Sequence, residues 1–173
     1  AGKSSILNRW AGFERVLVDA TPGTTRDAID LELEVKGRRL IVVDTAGLRR
    51  PSRIVEDVES RAARSSLDAL GRADVAVLVL DATQGVSDQD LRLADLVWRR
   101  GRALVVAVNK VDLMPDLDAE RAQAILEERL PQWPPLAVVR VSATKGTGLG
   151  ALVRAIERAA QGFRLRIPTA RLN

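Results

Sequence analysis

An α/β layered domain with a mostly parallel sheet is what this 173-residue sequence predicts, and three observations carry the expectation. Short apolar runs alternate with longer stretches of helical periodicity, the pattern of sheet-and-helix layers rather than of a bundle or a sandwich. Four of the runs are apolar at successive positions, as expected of parallel strands covered on both faces. A polar cluster closes nearly every run, and ligands of open α/β sheets bind at such strand ends.

In chain order, "AGKSSILNRW" reads as a small-residue start running straight into an amphipathic helix. The stretch Asp30 to Val35, "DLELEV", alternates acidic and apolar and turns at Lys36-Gly37, so it reads as an antiparallel edge strand hairpinned to its neighbour. That neighbour is "LIVVDTAG", Leu40 to Gly47. The remaining runs are "VAVLVLDAT" (Val75 to Thr83), "ALVVAVNKVD" (Ala103 to Asp112) and "LAVVRVSAT" (Leu136 to Thr144). Helices are expected near Ile54 to Leu70 and Asp118 to Leu130. Two more follow from spacing: Leu91, Ala94, Val97 and Trp98 behind a Ser87 cap with Asp90 as its partner, and Leu149, Leu152, Val153, Ile156 and Ala160 behind a glycine-rich entry. "PQWPP" at Pro131 to Pro135 ends one helix and feeds the next strand. The closing "RLRIPTARLN" loses the periodicity and reads as a linker.

Composition removes several classes of function. With no cysteine there is neither a disulfide framework nor a thiolate metal site, and with no histidine a zinc site is disfavoured. No apolar run reaches the length of a membrane span and the start lacks a signal-peptide layout, so a cytoplasmic protein without membrane contact is expected. The net charge of +4, with a pI near 10.3, fits arginine on solvated faces at least as well as a nucleic-acid surface.

Four polar clusters carry the chemistry. At Ala1, Gly2, Lys3, Ser4 and Ser5, backbone amides and a helix dipole suit phosphate, Lys3 reaches outer phosphates, and the Ser4 hydroxyl suits Mg²⁺. Taken alone, the same residues suit a plain helix start. "DTAG" puts a carboxylate, Asp44, where it can hold Mg²⁺ through water, and the Gly47 amide where no side chain blocks a terminal phosphate. Taken alone, it is an Asp/Gly turn. In "NKVD", Asn109 to Asp112, the Asp112 carboxylate suits the two N–H donors of a guanine edge, which adenine lacks, while Asn109 braces the loop. In "SATKG", Ser142 to Gly146, a backbone amide, that of Ala143 in the first instance, suits a guanine oxygen. "TPGTTRD" at Thr21 to Asp27 adds loop hydroxyls. Each has an ordinary turn or cap as its alternative; together and in this order they point to a nucleotide site.

"GKS", "PGTTRD", "DTAGLRR", "NKVD" and "SATKGTG" resemble, over the whole chain, the motifs of the translation-factor-like branch of bacterial P-loop GTPases. Within it, "DTAGLRR", "RADVAVLVLDATQGVSDQD" and "RIPTARLN" resemble the second GTPase domain of the Der (EngA) family of ribosome-assembly factors; Era and the tRNA-modifying GTPase MnmE are more distant alternatives. The resemblance implies a three-layer P-loop NTPase fold, small G protein-like, with one antiparallel edge strand. It implies a GTPase domain over 1–163, with 164–173 leading to a KH-like domain, and a family first strand, leading loop glycine and potassium-holding asparagine lying before Ala1. For the site it implies Lys3, Thr25 and Gly47 as catalytic and Ser4, Asp44 and a switch threonine, Thr25 in preference to Thr24, on Mg²⁺. Guanine nucleotide contacts run through Thr45, Ala46, Leu48, Lys110, Val111, Ser142, Ala143 and Thr144 besides the residues above. Leu48 stands where Ras-like proteins carry a water-orienting glutamine, and the resemblance implies K⁺ as activator instead. Partners so implied are GTP and GDP, the large ribosomal subunit with its rRNA and proteins, and adjacent GTPase and KH-like domains in cis.

Overall fold

The computed structural model describes residues 1–13, 31–35, 38–42, 70–116, 119–129 and 136–164. Helix α1 spans Lys3–Phe13, strands β1 Leu31–Val35, β2 Arg38–Val42 and β3 Val75–Asp81, helix α2 Asp88–Arg99, and strand β4 Ala103–Asn109. A short 3₁₀ turn at Val111–Leu113 precedes α3 Ala119–Arg129, β5 Ala137–Arg140 and α4 Leu149–Phe163.

Strands β3, β4 and β5 pair in parallel in that order, with Val75 opposite Ala103, Asp81 opposite Asn109 and Val105 opposite Ala137. β1 and β2 form a separate antiparallel ladder, Leu31 opposite Val42 and Val35 opposite Arg38. The acidic-apolar alternation of "DLELEV" is therefore a hairpin strand, as its period requires. Within the described residues, hydrogen bonding does not join that hairpin to the parallel sheet.

Alternate residues of β3 and β4 feed two cores, so the unbroken apolar runs are explained by helices on both faces. On one face Val79, Val105 and Ala107 meet Ile6 and Trp10 of α1 and Leu149, Leu152 and Val153 of α4, with Leu40 and Val42 of β2 packed against them. On the other, Leu80, Leu104, Val106 and Val108 meet Ala94 and Val97 of α2 and Leu126 of α3. Leu152, Val105, Val106 and Val141 are fully enclosed; trimming such a leucine to alanine typically costs about 2–5 kcal/mol.

The helix entries follow local chemistry. Ser87 and Asp90 close a capping box: the Ser87 N–H donates to the Asp90 carboxylate at 2.9 Å and the Asp90 N–H to the Ser87 hydroxyl at 3.2 Å. α4 starts from Gly148 in the left-handed region at φ 76°, where an added Cβ would lie 2.0 Å from the Arg140 carbonyl oxygen. Trp98 departs from the spacing argument. It is half-exposed at 52%, whereas Ala94 and Val97 of the same spacing are buried and Leu91 packs against the core. The stretches "TPGTTRD", "DTAGLRR", "PQWPP" and "RIPTARLN", and the helix expected at Ile54 to Leu70 apart from its last residue, lie outside the described residues.

Candidate functional site

Three of the sequence clusters meet at the carboxyl ends of β3, β4 and β5. Asn109, the last residue of β4 and only 2% exposed, is where they join. Its side-chain Nδ2 donates to the Ala1 carbonyl at 2.9 Å, and its Oδ1 accepts the Ala143 N–H at 3.1 Å. One amide thus ties the start of α1 to the turn after β5, using both ends of a group that has donors on one side and an acceptor on the other.

Gly2 makes the first of these contacts possible. Its φ is +87°, and a Cβ there would stand 2.4 Å from Asn109 Nδ2, so both backbone and space call for glycine. The Ile6 N–H closes the first helical bond onto the Gly2 carbonyl at 3.2 Å. The first-turn amides of α1 have no intrahelical acceptor, no acidic residue stands in that turn, and Lys3, Ser4 and Ser5 are exposed on it. Such a terminus favours a bound anion through its amides and dipole.

After Asn109 the chain reverses at Lys110, φ 65° and ψ 29°, the one non-glycine residue at positive φ among those described. The 3₁₀ turn that follows is held by Leu113 N–H to Lys110 carbonyl (3.0 Å) and Met114 N–H to Val111 carbonyl (3.1 Å), and Val111 N–H reaches the Val141 carbonyl at 3.3 Å. Asp112 stands exposed at this turn. The third turn is anchored by Ser142, which is fully enclosed: its N–H donates to the Thr147 carbonyl, its carbonyl accepts the Gly146 N–H, and its hydroxyl accepts the Lys145 N–H. Ser142 shapes the turn from inside while Thr144 is exposed on it. The Ala143 N–H, expected to face a base oxygen, is donated here to Asn109.

Asp81 and Thr83 were not singled out by the motif reading. Asp81 ends β3 beside Asn109, and its nearly buried carboxylate meets the Lys110 Nζ at 2.5 Å, the Thr83 hydroxyl at 2.7 Å and the Thr83 N–H at 3.1 Å. The hydrogen bond from Lys110, followed by that from the Thr83 hydroxyl, lowers its pKa from 3.8 to about 2, against the opposing effect of burial. The available signal was a single carboxylate closing a wholly apolar strand. A cavity of about 190 Å³ lies on the α3 side of the sheet, lined by Leu80, Ala82, Val86, Val108 and Leu126 with Asp81 at its edge; Lys3, Asn109, Asp112 and Ala143 do not line it. Thr25, Asp44, Thr45, Ala46, Gly47 and Leu48 lie outside the described residues.

Residues 1–110, reaching from the Lys3 helix start through Asn109, match the family described as 50S ribosome-binding GTPases. The chain belongs to that family. Two relatives are both called GTPase Der: that of Rhodopseudomonas palustris (strain TIE-1) is 46% identical over 175 residues, and that of Stenotrophomonas maltophilia (strain R551-3) is 43% identical over 172. They take in 100% and 99% of this chain, which spans 38% and 37% of their lengths. Among solved structures, Era in complex with MgGDPNP and a fragment of 16S ribosomal RNA superimposes with a TM-score of 0.65 at 26% identity, over 91% of this chain and 52% of that one. The FeoB G-domain of Methanococcus jannaschii gives 0.59 at 27% identity, over 92% and 90%. A variant of Era from Aquifex aeolicus bound to GDP·AlF4⁻, at 22% identity and TM-score 0.64, shares the fold. The three-layer α/β expectation is thus met by family and fold alike. Among the described residues, no helix is long and apolar enough to cross a membrane.

Proposed function

We propose that this chain is a guanine-nucleotide switch that binds GTP and hydrolyses it to GDP and phosphate. The observation that carries the reading is the junction at Asn109, which brings an anion-favouring helix start, a turn presenting an exposed carboxylate and a third small-residue turn to one end of the sheet. In this reading the amides of Gly2 to Ser5 and the Lys3 ammonium grip the phosphates. Asp112 accepts the N–H groups of the guanine edge, and the stem of Lys110 and the turn at Ala143 and Thr144 enclose the base. Thr25, Thr45, Ala46, Gly47 and Leu48 belong to the loops that sense the terminal phosphate, and its loss releases them.

The hydroxyls of Ser4 and Thr25 and the carboxylate of Asp44 are hard oxygen donors, the set that suits Mg²⁺, and the exposed position of Ser4 on the first turn of α1 is compatible with that role. When bound, the ion neutralises charge that develops on the phosphate oxygens. Transfer is to water, and the chain's own contribution is positioning by Lys3 and by the backbone amides, the Gly47 amide included. Leu48 has no polar group with which to orient that water, and the resemblance to the Der family implies K⁺ as activator instead.

The match to the family of 50S ribosome-binding GTPases supports a role in large-subunit assembly, with ribosomal RNA and proteins as partners of the intact protein. The domain layout in this reading, taken from the resemblance, is residues 1–163 as the GTPase unit, 164–173 leading toward a KH-like domain, and a second GTPase domain in cis; that the chain spans 38% and 37% of the two Der relatives leaves length for such domains. Phosphate release from GTP by the intact protein, in potassium and in sodium with ATP as competitor, tests the reading. Release in potassium that ATP does not suppress is expected, and release that ATP suppresses at equal concentration overturns the base choice. Tight GTP binding without release in either salt favours a second reading suggested by Leu48, a nucleotide-dependent binding module with negligible turnover.

A further inference from the structure

The guanine reading assigns Asp112 the work of recognition, yet little in the local sequence fixes the turn that presents it. Lys110 occupies the left-handed region, which costs a non-glycine residue about 1–2 kcal/mol, and lysine lacks the short polar side chain with which Asn or Asp offsets that cost locally. The N-cap position of the 3₁₀ turn, which is Lys110 itself, has no side-chain cap bond, and the Val111 N–H to Val141 tie is long at 3.3 Å. Beyond the Leu113 N–H to Lys110 and Met114 N–H to Val111 bonds of the 3₁₀ turn, the hold comes from outside the motif.

We infer that Asp81 is a positioning residue for guanine recognition: its carboxylate holds the Lys110 ammonium and, through it, the left-handed turn that carries Asp112. Its own placement is rigid. The Asp81 carbonyl accepts the N–H groups of Gln84 and Gly85, its backbone is in register with Asn109, and the Ala82 N–H donates to the Asn109 carbonyl at 2.9 Å. The N–H and hydroxyl of Thr83 both take Oδ1, which leaves Oδ2 for Lys110. A carboxylate only 4% exposed requires a cationic or hydrogen-bonding partner, whereas the ammonium, 43% exposed, could be solvated elsewhere. The geometry therefore draws Lys110 to Asp81 rather than the reverse. A second consequence follows from charge. Asp112 lies two residues beyond Lys110, and an ammonium committed to Asp81 is withheld from Asp112, so the recognition carboxylate stays available for a base.

The inference rests on the guanine reading of Asp112, and its test keeps the two apart. Dissociation of fluorescent GDP, and competition by GTP against ITP, which lacks the 2-amino group, are measured on the intact protein and on D81N, K110M and the double variant. Any other nucleotide site in the intact protein is common to all four. D81N is expected to speed GDP loss and to shrink the GTP:ITP preference by about tenfold, the size of one charge-assisted hydrogen bond. In the K110M background the same substitution should change neither. An unaltered protein without GTP:ITP preference overturns both readings. A D81N preference no smaller than that of the unaltered protein, or a D81N effect of equal size in the K110M background, overturns this inference alone. Should D81N fail to fold, Thr83→Val, which removes a hydroxyl from Oδ1 and no charge, must lower the preference in the same direction, and an unchanged preference sinks the idea.

Discussion

The Ala143 N–H and the Asn109 Oδ1 lie 3.1 Å apart across 34 residues of chain, and the same side chain reaches the Ala1 carbonyl at 2.9 Å. Replacing Asn109 by alanine removes both bonds and leaves the buried Ala143 N–H without an acceptor, a loss of about 2 kcal/mol. Urea unfolding of N109A should show it, and fluorescent GDP should dissociate at least tenfold faster, because the start of α1 loses its tie to the other two turns. Asn109→Asp should do no better. It keeps the acceptor for Ala143 but sets a carboxylate against the Ala1 carbonyl.

Gly148 precedes α4 as its N-cap, Gly162 lies within it, and the two should respond in opposite directions to alanine. At Gly148 the backbone is left-handed and the new Cβ would overlap the Arg140 carbonyl, so G148A should cost roughly 2 kcal/mol or more. At Gly162, inside α4, an added Cβ meets nothing within 4 Å, and G162A should gain about 0.5–1 kcal/mol from helix propensity. Thermal melts of the two variants should therefore move to either side of the unaltered protein.

The depressed pKa of Asp81 gives stability a particular acid dependence. The Lys110 hydrogen bond, and then the Thr83 hydroxyl, make the folded state bind this proton less tightly than the unfolded chain does, about 2 against 3.8. The stabilisation is thus fully present above the unfolded value and is lost as pH falls from about 4 toward 2. Urea midpoints recorded through that window should fall for the unaltered protein. They should fall less steeply for D81N, which has no proton to take up there.

The parallel strands were legible because burial on both faces leaves an unmistakable apolar run, as in "ALVVAVN", and the α2 start because Ser87 and Asp90 form a capping box within four residues. Asn109 as a brace was legible too. Its partners were not: whether an amide meets Ala1 or Ala143 depends on how three distant turns are set against one another. Asp81 was missed for a related reason, since nothing local distinguishes a strand-end carboxylate that caps a turn from one that grips a lysine 29 positions on. Trp98 shows the limit of periodicity, which places a residue on an arc without saying how wide the covering layer is. The Ala143 N–H suits a base oxygen by sequence, and only the fold shows that the Asn109 amide oxygen stands within its reach.

Asp112 offers the sharpest test of base choice. Guanine presents an N1–H and a 2-amino group side by side, and an exposed carboxylate can accept from both. An asparagine at that position can accept only one and turns its own amide donor toward the other, where two donors then face each other. Asp112→Asn should therefore weaken GTP binding by about a hundredfold, since a charge-assisted bond is lost and a donor left opposed. Xanthine carries an oxygen where guanine has the 2-amino group, so it matches the asparagine amide, and XTP should bind the variant more tightly than GTP does. Asp112 is exposed, so folding should be untouched and the thermal midpoint without nucleotide should stay within a degree or so of the unaltered protein. Competition of GTP and XTP for a fluorescent nucleotide measures the exchange. A variant that keeps its preference for GTP would remove Asp112 from the base-reading role.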